Sequence, residues 1–122
     1  MIHAERAGHL LINLKSENHQ IQSGLEAAKG GGDEAMNPHQ LLEAALAACT
    51  LQTLELYAFR KGWDVSGVKI DVTIDKEGPG AHITRKIDFG NLPDEQKARL
   101  LEISNKCPIH KLLASEIEIE NA

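Results

Sequence analysis

Two residues of this chain carry an obvious capacity for redox chemistry, Cys49 and Cys107, its only cysteines. A thiolate can attack a peroxide oxygen and become a sulfenic acid, and a second thiol can condense with that acid to a disulfide. Such chemistry needs a positive charge near the attacking sulfur, because a thiol buried in apolar surroundings stays protonated. Cys49 lies about twelve residues into an apolar helical stretch, too far from the helix start for the dipole to help. Its cation must come from tertiary structure. Cys107 stands before Pro108, just after a second helical segment, at a junction where a resolving thiol could reach a partner. No C-x-x-C motif and no zinc-ribbon spacing is present. The bland alternative is that both cysteines are small hydrophobes filling the core.

Arginine is the natural cation. Arg85 falls on the apolar face of a strand, in step with Ile83, Ile87 and Phe89, where a charge must be paired or point into a pocket. Arg6 lies in a polar segment near the start, and Arg60 and Arg99 sit among charged neighbours on helices. Of the six histidines, His39 is near the start of the buried helix and His110 follows Cys107 by three residues. A zinc site from these and the cysteines lacks any local ligand pair of the usual spacing. His39 and Cys49 would also stand about 15 Å apart along one continuous helix. Hence no metal and no organic cofactor is expected. There is no G-x-G-x-x-G, Walker loop or G-x-S-x-G, and Gly30-Gly31-Gly32 reads as a flexible loop.

The elements that must position these residues are legible in the pattern. His9 to Leu14 and His19 to Ser23 read as a strand pair turning at Ser16-Glu17-Asn18. Asn37-Pro38 is a helix start, with Asn37 as cap and proline at the first position; nothing breaks the helix from His39 to Lys61, and Gly62 ends it. Its first half is apolar on nearly every face, which predicts burial on most sides, with a second subunit as one cover. Val68, Ile70, Val72 and Ile74 alternate with polar residues as a strand. A turn at Glu77-Gly78-Pro79-Gly80 leads into the strand that carries Arg85. A second, amphipathic helix runs from Pro93 to about Asn105, with a stripe of Ala98, Leu101 and also Leu100 and Ile103. Ile109 to Leu113 is a short helical turn or loop, and Ile117 and Ile119, alternating with glutamates, read as a final strand. The fold class is α+β: an antiparallel sheet with a long buried central helix and a second amphipathic helix.

With 122 residues, the chain fits one domain, 1–122. Aromatic residues are 3% of the total, so aliphatic side chains must fill the interior. The net charge of −5 argues against nucleic acid and against an anionic membrane surface. No stretch is apolar enough to span a bilayer, and the start lacks a signal-peptide core. The expected location is cytoplasmic, where thiols are kept reduced and two cysteines are rarely a structural staple.

Three segments carry a resemblance. Met36-Asn37-Pro38-His39-Gln40-Leu41-Leu42 followed by Ala44-Ala45-Leu46-Ala47-Ala48-Cys49-Thr50 resembles the central-helix signature of the OsmC/Ohr family. So do Arg60-Lys61-Gly62-Trp63, and Leu92-Pro93-Asp94-Glu95-Gln96 running on to Lys106-Cys107-Pro108-Ile109-His110. The match covers roughly Met36 to Leu113 and looks closest to the family's short, OsmC-like redox branch. The resemblance implies an intertwined homodimer with sites at the subunit interface, and reduction of organic hydroperoxides by a cysteine pair recharged by a cellular dithiol. Cys49 matches the peroxide-attacking cysteine and Cys107 the resolving one. In the best-known members an arginine from the N-terminal segment contacts the thiolate, a place near which Arg6 falls. The glutamate that holds this arginine stands ten residues before the cysteine, where this chain has His39. The resemblance breaks there, and Arg85 becomes the other candidate cation. Two readings outside catalysis stand beside this one: a binding module for a small apolar molecule, and a thiol redox sensor.

Overall fold

The computed structural model describes residues 1–122, and its contacts divide the chain into two units, Met1–Leu42 and Glu43–Ala122. In the first unit, strands β1 (His3–Gly8), β2 (Leu11–Lys15) and β3 (Gln20–Ser23) form an antiparallel sheet in the order β1-β2-β3. The first strand is an addition to the sequence reading. Its residues are exposed almost throughout, so it carries no hydrophobic alternation; pairing with β2, from His3↔Lys15 to Gly8↔Leu11, defines it instead. The reversal places Leu10 at φ 53°, and the second strand starts two residues later than His9. After β3, Gly24 N–H and Ser23 Oγ both donate to the Met36 carbonyl, at 3.1 and 2.9 Å, which closes the glycine-containing loop.

The long helix α1 (Pro38–Lys61) opens with a reciprocal cap. Gln40 N–H donates to Asn37 Oδ1 and Asn37 N–H donates to Gln40 Oε1, each at 2.9 Å, which satisfies two otherwise orphan donors. It ends at Gly62, whose φ of 70° favours glycine. Its buried stripe is Leu46, Thr50, Leu54 and Ala58, one residue per turn. Leu56 and Phe59 are exposed on other faces, and Leu42 at the stripe's N-terminal end, so within one chain full burial is confined to that stripe rather than covering most sides.

In the second unit, β4 (Lys69–Lys76) and β5 (His82–Asp88) pair antiparallel, with Val72 opposite Arg85. Strand burial alternates: Ile83, Arg85 and Ile87 are half-buried and their neighbours exposed. Glu43 Oε2 accepts the Ile74 N–H at 2.9 Å and ties α1 to β4. Helix α2 (Asp94–Ser104) buries Leu100, Ile103 and Ser104; of the four residues read as its stripe, Leu100 and Ile103 thus face inward, whereas Ala98 and Leu101 are exposed. Leu54, Val68, Leu100 and Ile103 form the core, with Tyr57, Trp63, Ile70 and Ile87 packed around it. The short helix α3 (Pro108–Leu113) follows. The final strand does not form: Glu116–Ala122 carries no regular structure, and Ile117 and Ile119 are exposed. An alternating segment without a neighbouring strand to pair with has no ladder to stabilise it.

Candidate active site

Thr50 belongs to the inward stripe of α1, and Cys49 beside it is half-buried. Cys107 sits at the start of α3 with no exposed surface. The proline that follows fixes the first helical position, and His110 N–H donates to Cys107 Sγ at 3.4 Å. The two free thiols are close enough to act on each other's ionisation: Cys107 raises the Cys49 thiol and Cys49 lowers that of Cys107. A helix interior and a helix start, distant in sequence, therefore meet at their sulfurs.

β5 delivers the cation. Arg85 Nη1 donates to Thr50 Oγ1 at 3.1 Å and to the Ser104 carbonyl at 3.3 Å; Nη2 donates to Ser104 Oγ at 3.3 Å and to Asn105 Oδ1 at 3.2 Å. These four bonds fix the guanidinium between α1 and the end of α2. Burial lowers the Arg85 pKa and the charge on Cys107 raises it again, and the side chain remains a cation.

The environment pulls the two thiols apart. Burial pushes the Cys49 thiol up, and so does the neighbouring Cys107. At Cys107 burial also opposes ionisation, but the neighbouring Cys49, the His110 N–H on its sulfur and the nearby polar groups of Thr50 and Ile109 outweigh it, and the thiol is lowered. Thr50 gives its one hydroxyl hydrogen to the Leu46 carbonyl at 2.7 Å. Of the pair, Cys107 is the more readily ionised and Cys49 the less. For two coupled thiols this describes the pair as much as either member.

Arg85 also borders a cleft of about 370 Å³, walled by Leu46, Ile83 and Leu113 and shared with His110. Burial and the neighbouring Arg85 charge lower the His110 pKa, so the ring is neutral near pH 7. No group of three or more His, Cys, Asp or Glu side chains is placed to hold a metal ion.

Of the residues singled out in the sequence, the structure brings together Cys49, Cys107 and Arg85. Arg6 is exposed on β1, opposite Ile12, and His39 lies in the first turn of α1; both belong to the first unit. Sequence reasoning missed Thr50, Ser104 and Asn105, the neutral residues that hold Arg85. The available signal was Thr50 itself, a hydroxyl in a stripe otherwise filled by Leu46, Leu54 and Ala58.

The model of one protein family, described as OsmC-like protein, matches residues 30–121. None of the curated proteins matches the chain significantly. Among solved structures, an OsmC like protein from Mycoplasma pneumoniae superposes with a TM-score of 0.78 at 21% identity, covering 93% of this chain and 85% of that one. The organic hydroperoxide resistance protein OhrB of Bacillus subtilis gives 0.65 at 21% identity, covering 93% and 90%. An organic hydroperoxide resistance protein OsmC from Legionella pneumophila, described as a predicted redox protein, gives 0.70 at 16% identity, covering 93% and 89%. At these identities the likeness is one of fold. No helix of the chain is long and apolar enough to cross a membrane.

Proposed function

The chain belongs to the family of OsmC-like proteins, and we propose that within it this protein is a thiol-dependent reductase of organic hydroperoxides. The observation that carries the reading is the adjacent pair of free thiols beside a half-buried arginine. The names of its structural relatives, organic hydroperoxide resistance proteins, support the substrate class.

Cys49 is the attacking sulfur. It is the half-buried member of the pair, whereas Cys107 is sealed. Because Cys107 is the more readily ionised of the two, transfer of the Cys49 proton to the Cys107 thiolate precedes attack. The Cys49 thiolate then displaces the alkoxide from the distal peroxide oxygen and becomes a sulfenic acid, while the alkoxide takes up a proton and leaves as the alcohol. Cys107 condenses with the sulfenic acid, forming the disulfide and releasing water. A cellular dithiol restores both thiols by exchange. Arg85 stabilises the charge that moves between sulfur and oxygen. The apolar wall of the cleft favours an alkyl hydroperoxide over hydrogen peroxide. Neither metal nor organic cofactor has a part in this cycle.

A cytoplasmic location, where dithiol reductants are abundant, fits this chemistry. A homodimer built on α1 is part of the proposal, because that helix leaves Leu56 and Phe59 exposed on its outer faces.

The test is consumption of an alkyl hydroperoxide by the purified protein with a dithiol in excess. Sustained consumption that Cys49→Ser abolishes is the expected result. Oxidation of one equivalent without turnover would replace the enzyme by a redox sensor. No oxidation would leave a binding module.

A further inference from the structure

Half-buried arginines are commonly held by a carboxylate. Arg85 is not: its four hydrogen bonds go to a threonine hydroxyl, a serine hydroxyl, a backbone carbonyl and a side-chain amide oxygen. The Ser104 carbonyl accepts from both Arg85 Nη1 and the Cys107 N–H, at 3.3 Å each, which seats the guanidinium beside Cys107. Neutral acceptors fix the direction of a guanidinium without cancelling its field, whereas a carboxylate does both. The three side chains involved come from two elements with their own anchors. Thr50 is buried in α1 and donates to the Leu46 carbonyl, and Ser104, at the end of α2, donates to the Leu101 carbonyl at 2.6 Å. Each hydroxyl has therefore spent its hydrogen and turns a lone pair to Arg85. Asn105 follows directly as the cap of α2.

We propose that Thr50, Ser104 and Asn105 act as positioning residues, a neutral clamp that keeps Arg85 uncompensated so that its full charge serves the thiol pair. Arginine alone supplies the fork of donors that three separated acceptors can hold at once. The ionisable groups beside the pair are Arg85 from β5 and His110 from α3; α1 and α2 contribute only the neutral Thr50, Thr53 and Ser104. The proposal rests on Cys49 and Cys107 being the reactive pair. Its readout is thiol ionisation rather than turnover, so it can fail while the peroxidase reading stands, and the converse.

The experiment is the rate of iodoacetamide alkylation of the reduced full-length chain as a function of pH. Asn105→Asp places a carboxylate on Nη2 at nearly constant shape. The lower midpoint of the profile is expected to rise by about half a pH unit or more, a rate loss of about threefold at a fixed pH below it. Asn105→Gln keeps a neutral carbonyl acceptor and is expected to stay closer to the parent chain than to Asn105→Asp. Because a new negative charge also repels a thiolate directly, the double variant Ser104→Ala/Asn105→Ala provides an uncharged test. It removes both side-chain acceptors of Nη2, and its midpoint is expected to rise as well. That variant also decides the matter if Asn105→Asp does not fold. A parent-like midpoint in the double variant, with its circular dichroism spectrum intact, would overturn the clamp, as would a midpoint that falls.

Discussion

Cys49, in the interior of α1, and Cys107, at the start of α3, stand close enough for each to shift the other's ionisation. The two sulfurs act as a pair, yet they differ in exposure: Cys49 is half-buried and Cys107 has no accessible surface. The proposed division of labour follows from that difference, with the more accessible sulfur meeting the substrate and the sealed one resolving the sulfenic acid.

Separate serine substitutions test the division. With one equivalent of alkyl hydroperoxide, Cys107→Ser is expected to react once and leave a sulfenic acid on Cys49 that a cyclic diketone traps. Mass spectrometry then finds the adduct on the peptide containing Cys49. Cys49→Ser is expected to give no adduct and no consumption. An adduct on Cys107 in that variant would reverse the roles.

Replacing Arg85 should be costly in rate. Loss of one charge-stabilising donor at a reacting centre lowers rates by on the order of 10²–10³. Arg85→Gln is expected to fall in kcat/KM by that order. Arg85→Lys keeps the charge but not the fork held by Thr50, Ser104 and Asn105, and should fall between. Peroxide consumption measured at several substrate concentrations checks both, and parent-like rates in Arg85→Gln would remove the cation from the account.

His110 gives a pH dependence of stability with a definite sign. Burial and Arg85 hold its folded-state pKa below the ordinary value of 6.5. Between the folded value and 6.5 the unfolded chain binds a proton that the folded chain does not, so stability rises with pH across that window. It is lost as pH falls through the window. The lowered carboxyls of Glu5, Glu26, Asp64 and Asp75 add their own loss only at lower pH, below about 4.5. Denaturant unfolding between pH 5 and 7 is expected to show the histidine contribution in the parent chain and a flatter slope in His110→Asn.

The outer face of α1 predicts assembly. Phe59 is 86% and Leu56 65% exposed, and such side chains on one long helix are suited to a second copy. Phe59→Glu is expected to convert a dimer into a monomer in sedimentation equilibrium. A parent chain that is itself monomeric would contradict the homodimer.

What the sequence made legible was decided by periodicity and by motif. The span of α1 follows from Asn37-Pro38 and Gly62, and Arg85 was visible because it interrupts an apolar row on β5. The clamp was not, because Ser104 and Asn105 look like ordinary helix-end residues until β5 brings a guanidinium to them. In α2 an apolar residue at nearly every inward and outward turn, Leu100 and Leu101 side by side, left the phase open, and tertiary packing chose Leu100. β1 escaped because an exposed strand needs no apolar alternation, and Ile117 and Ile119 misled because alternation without a partner strand makes no ladder.

The central claim is that Cys49 and Cys107 work as one redox unit. Its most direct measurement is the number of free thiols in the reduced protein after a single equivalent of an alkyl hydroperoxide, counted before and after treatment with a dithiol. The account predicts that both thiols of a chain disappear together, that an intrachain Cys49–Cys107 disulfide is recovered in the peptide map, and that the dithiol returns both. Two thiols still free after exposure to the peroxide would contradict it.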